Sequence, residues 1–203
     1  MAESRCPRAA TSPEISFTEP RRRDRGVGDP TWIGELLHRV AVGVLATSWD
    51  GRPSLNPNLF VYDGPRRAIY LHTAKTGRTR DDLEKNPRVA FTVAEMGRLL
   101  PSDAAVNFSV EYASVVLEGV GRIVEDAGDA ERALRLFMAK YAPDFEYGKD
   151  YRGVSARDLA RTTVIEVRID GWSGKQKTSE AVDAYAYSPA DSAPADPVGA
   201  ASD

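Results

Sequence analysis

The sequence predicts a mainly β fold of the α+β class, an antiparallel β-barrel with flanking helices. About six or seven segments have strand character against two or three helical ones, the βαβ alternation of parallel sheets is missing, and no internal repeat occurs. With 203 residues, 42% of them hydrophobic, the chain can bury one core of ordinary domain size.

The first part of the chain predicts a short helix that leads into a β-meander. Asp29 and Pro30 suit the N-cap and the first residue of a helix. Residues 40–48 are typical of a buried strand, and Asp50-Gly51 indicates a hairpin turn. Residues 53–62 return as the second strand.

The middle of the chain continues the meander around a second helix. Residues 68–73 predict a third strand, and residues 76–85 predict a short helix that Asn86-Pro87 ends. Residues 89–93 resume as a strand, and we expect residues 97–107 to form a loop.

The second half adds a long β segment, a helix and a last strand. Residues 108–124 have β character throughout, and Gly119 and Gly121 within them indicate a bulge or a sharp bend. Residues 129–141 place their apolar side chains on one stripe, which predicts a helix that faces the core. Residues 162–169 alternate as the last strand.

Both ends of the chain are expected to be disordered tails. Residues 1–28 and 179–203 are polar and carry too few apolar side chains to offset the entropy cost of ordering. The folded domain is therefore expected to span residues 29–178.

Charge and cysteine content argue against several classes of protein. The formal net charge of −3 gives no sign of the basic surface that nucleic-acid binding requires. One cysteine, Cys6, and two histidines argue against a disulfide framework and against a metal site. Because neither an apolar membrane span nor a secretory signal occurs, we expect a cytoplasmic protein that binds small molecules.

The segment from residue 70 to residue 83 is the most informative for function. A strand runs into a turn with Lys75, Gly77, Arg78 and Thr79, and a helix follows. Helix N-termini attract anions, more so beside cations and hydroxyl groups, so the segment predicts a phosphate cradle. The alternative is ordinary capping, since Thr79 and Asp82 also fit a capping box.

His72 ends the strand before this turn. Its side chain is suited to proton transfer near neutral pH, or to binding a metal or haem. The alternative is a structural histidine held by hydrogen bonds at the end of a strand.

Two further sets of residues suit a ligand site. Asn56-Pro57-Asn58 interrupts the second strand, which indicates an edge or bulge where backbone groups are left for a ligand, or a plain kink. A polar and aromatic set could line a pocket, although such residues are commonly core residues: Tyr112, Ser114, Trp172 and Lys175.

The chain resembles the pyridoxamine-phosphate-oxidase-like flavoproteins, most closely their nitroimidazole-reductase-like branch. Each motif is loose alone, but their ordered series across residues 31–177 is specific. The motifs are Val44-Leu45-Ala46-Thr47, Asp50-Gly51-Arg52-Pro53, Ile69-Tyr70-Leu71-His72-Thr73-Ala74, Gly77-Arg78, Leu83 with Asn86-Pro87-Arg88-Val89, Glu111-Tyr112-Ala113-Ser114-Val115-Val116, Lys140-Tyr141-Ala142-Pro143 and Gly174-Lys175.

The resemblance implies a six-stranded split β-barrel of the FMN-binding type that forms a homodimer, with two FMN sites at the dimer interface. His72 and Thr73 would lie beside the flavin, with His72 as the candidate catalytic proton donor. The other cofactor-binding positions that it implies are Lys75, Gly77, Arg78 and Thr79 at the phosphate, Asn56, Pro57, Asn58 and Phe60 along the ring, and Tyr112, Ser114, Trp172 and Lys175 around the pocket, partly from the partner subunit.

The chain departs from the family pattern in two places. Thr79 stands where many relatives have a lysine, so Lys75 or Arg80 is expected to supply the phosphate charge. The arginine and histidine set with which pyridoxamine-phosphate oxidases hold their substrate is not evident, so synthesis of pyridoxal phosphate is not expected.

The function that the resemblance implies is an FMN-dependent oxidoreductase. A reduced nicotinamide or deazaflavin would be the electron donor, and a small molecule, such as a nitroaromatic compound, the acceptor. Two alternatives stay open: a flavin-binding or flavin-sensing protein without turnover, and a split barrel that holds haem through His72.

Overall fold

The computed structural model describes residues 15–187, which contain nine β-strands and four α-helices. The strands are β1 (Ser16–Phe17), β2 (Gly26–Val27), β3 (Val42–Trp49), β4 (Arg52–Leu59), β5 (Val61–Asp63), β6 (Ala68–Ala74), β7 (Arg88–Leu100), β8 (Ser109–Ile123) and β9 (Thr162–Lys177). The helices are α1 (Pro30–Arg39), α2 (Arg78–Lys85), α3 (Ala127–Tyr141) and α4 (Ala156–Leu159).

Seven strands form one antiparallel path in the order β4-β3-β7-β8-β9-β6-β5. The strands at its two ends are consecutive in the chain, and only Phe60 lies between β4 and β5. Residues 52–63, taken as one bent strand, therefore carry both edges of the sheet. This arrangement confirms the predicted six-stranded split barrel, which stays open because β4 and β5 are joined by the chain and not by a ladder.

Two apolar clusters lie on opposite sides of β6. Inside the barrel, α1 packs with the inward side chains of the strands, and Phe60 meets Phe91 edge-on with 4.9 Å between ring centroids. Outside it, Tyr70 and Phe137 belong to a second cluster beneath α3. Because side chains alternate along a strand, neighbouring residues of β6 serve different clusters.

Three strand expectations can be compared directly with the structure. The bulge is confirmed, since the β8–β9 register shifts between Glu118 and Gly119. Of the alternatives for Asn56-Pro57-Asn58, the edge is confirmed: β4 runs through Pro57 without a bulge as an edge strand, where a missing N–H is tolerated. The expected loop over residues 97–107 begins too early, because Leu99 and Leu100 still pair with β8 after a register shift.

Both segments expected to be disordered contribute to the sheet. β6 pairs with β9 as far as Arg168. Beyond that residue, β9 pairs with β1 in parallel and with β2 in antiparallel orientation. Near the other end of the chain, Tyr185 exchanges two backbone hydrogen bonds with Leu99. These short strands satisfy backbone groups that would otherwise stay unpaired. Residues 1–14 and 188–203 lie outside the described residues.

Among residues 15–187, no helix has the length and apolar character needed to cross a membrane.

Candidate functional site

A cavity of about 320 Å³ lies where β6 passes into α2, beside the edge of β4. We call it the cradle cavity. Gly77 is the N-cap of α2 and has a φ of +140°, a backbone conformation that favours glycine. Among residues 15–187 no side chain caps this helix. The N–H groups of Arg80 and Asp81 donate to the carbonyl oxygen of Gly77, so the two preceding N–H groups, of Arg78 and Thr79, are the ones that suit an anion. The lining residues are Ser54, Leu55, Asn56, Thr73, Ala74, Thr76, Gly77, Arg78, Thr79 and Arg80.

The structure decides against the capping-box alternative. Asp82 is buried, and its carboxylate accepts a hydrogen bond of 2.7 Å from the hydroxyl of Thr47. The hydroxyl of Thr79 accepts a hydrogen bond of 3.3 Å from the side-chain amide of Asn56. Thr79 and Asp82 therefore brace α2 against the barrel and leave the helix start uncapped.

Two asparagines connect β4 to the elements beside it. Asn56 binds Thr79, and the amide of Asn58 donates a hydrogen bond of 3.1 Å to the carbonyl oxygen of His72. Because side chains alternate along β4, those of Asn56 and Asn58 lie on one side of the strand and Pro57 lies on the other. The predicted asparagines thus lie at the open edge of the sheet.

The cations predicted for the phosphate do not all lie in the cradle cavity. Arg78 lines it and has no hydrogen-bond or ion-pair partner among residues 15–187. Arg80 also lines it, with its guanidinium bound to Glu84 and Thr163. Lys75 lines a different cavity. Of the two residues expected to supply the phosphate charge in place of the lysine of many relatives, Arg80 lies in the cradle cavity.

His72 and Thr73, both expected beside the flavin, face opposite sides of β6 and line different cavities of the chain. Thr73 lines the cradle cavity, whereas His72 lines an apolar cavity of about 440 Å³ beneath α3, here called the His72 cavity. The imidazole meets Phe137 edge-on at 4.8 Å, and its buried Nδ1 has no hydrogen-bond partner in the part of the chain that the structure describes. Burial lowers the pKa of His72, so the neutral imidazole is favoured near pH 7.

A third surface lies on the outside of the sheet. Residues that pair directly across strands point to the same face, and one row runs from Pro57 through Val44, Thr92 and Val116 to Ser173. We call this the outer sheet face. Its large apolar side chains are well exposed: Val42 50%, Leu55 68%, Leu59 40% and Val116 44%.

Three predicted residues lie on or beside this face, away from the cradle cavity of their own chain. Ser114 lies two residues before Val116 on β8 and pairs with Lys175 of β9. Tyr112 lies two residues before Ser114 on the same strand, and its hydroxyl accepts a hydrogen bond of 3.2 Å from Arg25.

Two predicted site residues have side chains that are buried in the core of the chain. Phe60 has no exposed surface, and its backbone N–H and carbonyl are bound by Tyr141 and Lys140. Trp172 is 6% exposed and packs in the barrel cluster. Large aromatic side chains fill a barrel well, which is why both lie inside.

Sequence reasoning missed Ser54, Leu55, Ala74 and Thr76, which also line the cradle cavity. Alternation could have identified Ser54, because it lies two residues before Asn56 on the same strand. Leu55 and Thr76 carry no comparable signal.

Several solved structures share this fold. The flavocytochrome Anf3 from Azotobacter vinelandii is 24% identical with a TM-score of 0.70, over 79% of this chain and 72% of that one. A protein of Bacteroides thetaiotaomicron VPI-5482 named for 5-nitroimidazole antibiotic resistance is 22% identical with a TM-score of 0.63, over 74% and 86%. The FAD and heme binding protein of Mycobacterium smegmatis is 19% identical with a TM-score of 0.67, over 82% and 78%.

None of the curated proteins matches the chain. The family model described as pyridoxamine 5'-phosphate oxidase matches residues 29–176, which is most of the sequence and includes the cradle cavity, the His72 cavity and the outer sheet face. The chain therefore belongs to the pyridoxamine 5'-phosphate oxidase family.

Proposed function

We propose that this chain is a flavin-dependent oxidoreductase that binds FMN and acts on a small molecule. The observation that carries the proposal is the cradle cavity, where the uncapped start of α2 lies beside the unpaired Arg78. Such a set of backbone N–H groups, hydroxyls and cations suits a phosphate group. When bound, the flavin would take a hydride from a reduced nicotinamide or deazaflavin and pass electrons to an acceptor such as a nitroaromatic compound.

The residues of the chain would hold and orient this cofactor. Gly77, Arg78 and Thr79 would bind the phosphate, with Arg80 adding positive charge. Asn56 keeps Thr79 in place through its hydrogen bond and, with Asn58, would border the ring at the edge of β4. Fixed donors of this kind need no reorganisation when charge changes on a bound group.

The proposal includes a homodimer, supported by the outer sheet face. Exposed apolar patches of this kind commonly mark an interface, and most soluble oligomers are symmetric dimers. Leu55 belongs both to this face and to the cradle cavity, so a second copy on the face would meet the edge of the site. The partner subunit would then contribute its own copies of Tyr112, Ser114 and Lys175.

The phosphate assignment is tested by titrating the purified protein with FMN. Arg78→Ala is expected to weaken FMN binding about 10-fold or more, because a charge-assisted contact contributes about 1.5–3 kcal/mol. Arg52→Ala is the matched control, since Arg52 is an exposed arginine at the start of β4 that does not line the cradle cavity. Equal FMN affinity in the two variants would contradict the assignment of the FMN phosphate to the cradle cavity.

A flavin-binding or flavin-sensing protein without turnover has the same binding site, so FMN binding does not separate it from an enzyme. The separating measurement is steady-state oxidation of NADH, NADPH or a reduced deazaflavin with a nitroaromatic acceptor. Turnover that depends on FMN and on Arg78 supports the enzyme. Tight FMN binding without reduction by any donor supports the sensor.

Haem in the His72 cavity is the second candidate, and one observation favours it: His72, whose imidazole is neutral near pH 7, lines an apolar cavity. Neutral imidazole is the form that binds iron. The relatives from Azotobacter vinelandii and Mycobacterium smegmatis, by name a flavocytochrome and a FAD and heme binding protein, support this candidate. Since His72 and the cradle cavity lie on opposite sides of β6, the two cofactors would not compete.

A haem titration followed by visible absorption tests this candidate. His72→Ala is expected to abolish a Soret band that His38→Ala retains, since His38 packs against Tyr62 with 5.5 Å between ring centroids and does not line the His72 cavity. A band of equal strength in both variants would exclude His72 as the ligand.

A further inference from the structure

Two lysines lie on the outer sheet face, beyond its apolar part. Lys175 and Lys177 of β9 pair with Ser114 and Tyr112 of β8, so all four side chains point to the same face, and all four are half-buried. The ammonium group of Lys177 donates to the hydroxyl of Ser109, whereas Lys175 has no hydrogen-bond or ion-pair partner among residues 15–187. Two ammonium groups on alternate residues of one strand create a positive potential that attracts anions.

Arg25 adds a guanidinium group to these lysines. The strand β2 begins directly after it and pairs Gly26 with Lys175, so the backbone brings the two cations together. The guanidinium donates a hydrogen bond of 3.2 Å to the hydroxyl of Tyr112 and lies 5.9 Å from the centre of that ring. Only 25% of the Arg25 side chain is exposed, so its position is fixed by packing. We call Arg25, Tyr112, Lys175 and Lys177 the Arg25 cluster.

The positive charge of the Arg25 cluster is largely unbalanced. The carboxylate of Asp24 lies 3.8 Å from Arg25, but it already forms an ion pair of 2.7 Å with Arg22. The FMN phosphate of the proposed function has its own site at the start of α2, where Arg78 supplies the charge. The three cations of the cluster therefore suit a second, doubly charged anion such as a phosphate monoester.

The arrangement of Arg25 on an aromatic ring narrows the class of ligand. A guanidinium group binds phosphate oxygens through its N–H groups, and its flat face stacks on aromatic rings. Arginines near a dinucleotide site accommodate the 2′-phosphate by which NADPH differs from NADH. A phosphate monoester attached to adenosine thus has the chemistry that the cluster would recognise.

We propose that the Arg25 cluster binds the 2′-phosphate of NADPH, so that NADPH and not NADH is the electron donor. This rests on the proposed function, in which a reduced nicotinamide supplies the flavin and the outer sheet face meets the cradle cavity of a second copy. In that dimer, Tyr112 reaches the flavin site of the partner subunit, and Arg25 accompanies it through their hydrogen bond. The adenosine end of NADPH is held at the rim of that site, and its nicotinamide is left free to reach the flavin.

A titration that needs neither flavin nor turnover tests the phosphate site. The probe is adenosine 2′,5′-bisphosphate, and the comparison is adenosine 5′-monophosphate, which lacks the 2′-phosphate. The bisphosphate is expected to bind about 10-fold or more tightly, because a charge-assisted contact contributes about 1.5–3 kcal/mol. Arg25→Ala should abolish this difference, and Arg25→Lys should restore part of it. Arg23→Ala is the matched control, since Arg23 is 79% exposed and pairs with Glu19 at 3.2 Å.

Steady-state kinetics with FMN bound gives the second readout. Arg25→Ala should raise the KM for NADPH about 10-fold or more, with a far smaller change in kcat, because the contact is made before and during hydride transfer alike. Equal KM values for NADPH and NADH in the wild type would overturn this inference. So would inorganic phosphate that binds as tightly as the bisphosphate, since the cluster would then be a general anion site.

FMN titration separates the failure of this inference from the failure of the proposed function. A protein that binds FMN and oxidises NADH and NADPH equally well, with or without Arg25, refutes the NADPH assignment and leaves the flavin proposal standing. A protein that does not bind FMN refutes the proposed function and this inference with it.

Discussion

The ammonium group of Lys140 donates a hydrogen bond of 3.1 Å to the carbonyl oxygen of Phe60, the one residue between β4 and β5. The same ammonium donates to the carbonyl oxygens of Leu37 and Val40, at 3.0 and 2.8 Å, and lies 3.7 Å from the centre of the Phe60 ring. The hydroxyl of Tyr141 accepts a bond from the Phe60 N–H at 3.0 Å. The end of α3 therefore holds the point where both edges of the sheet meet.

Lys140→Met is expected to lower the free energy of unfolding by about 1–3 kcal/mol, because buried carbonyl oxygens lose their donor. Urea denaturation measures this loss. Lys149→Met is the control: Lys149 is 72% exposed and pairs with Glu146 at 3.3 Å, so its loss should cost less than about 1 kcal/mol. Equal effects in the two variants would mean that the Lys140 contacts do not stabilise the barrel.

Gly119→Ala is expected to destabilise the protein by about 1–3 kcal/mol, since an added methyl group must be forced into a packed position. A Cβ at this bulge would lie 2.1 Å from the backbone oxygen of Arg168. Thermal or urea unfolding measures the change. Gly64→Ala is the control, because its nearest neighbour would be the Tyr62 ring at 3.6 Å, and it should alter stability much less. A normal melting curve for Gly119→Ala would show that the bulge tolerates a side chain.

Val116→Glu is expected to convert the proposed dimer to monomers, because it places a charge within the outer sheet face. Light scattering after size exclusion gives the mass of each species. Val106→Glu is the matched control: Val106 is 90% exposed and lies outside the strands, so the mass should not change. If the dimer proposal is correct, Val116→Glu should also weaken flavin binding. A wild-type protein that is already monomeric would refute the dimer.

His72 should make stability depend on pH. Burial lowers its pKa from the ordinary value of 6.5, so the unfolded chain takes up a proton at a higher pH than the folded one. The stability that depends on neutral His72 is thus fully present above pH 6.5 and declines as the pH falls through that value. His72→Leu removes this contribution. Melting temperatures of both proteins between about pH 8 and about pH 5 should show the wild type losing more stability on acidification; parallel curves would contradict the prediction.

Local features of the fold and of the cradle cavity could be predicted from the sequence. Gly119 indicated the bulge, and Gly77-Arg78-Thr79 after a strand indicated an anion site, because both signals depend on backbone conformation within a few residues. Phe60 and Trp172 could not be assigned in this way. Whether an aromatic side chain fills a core or lines a pocket depends on strands that are distant in the chain.

His72 and Lys75 show the same division between features that the sequence predicts and features that depend on the tertiary structure. Alternation along β6 determines that His72 and Thr73 face opposite sides, and this much is contained in the sequence. The cavity on the His72 side is enclosed by α3, α4 and the segment between them, some 60 to 90 residues further along the chain, whereas the cavity on the Thr73 side is completed by β4 and α2. The sequence by itself determined the antiparallel barrel with flanking helices and the turn that leads into α2, since both arise from short-range periodicity and turn chemistry; the split-barrel type came from the ordered family motifs. Only the tertiary structure separated the cradle cavity from the His72 cavity, because each is enclosed by elements that meet only when the chain has folded.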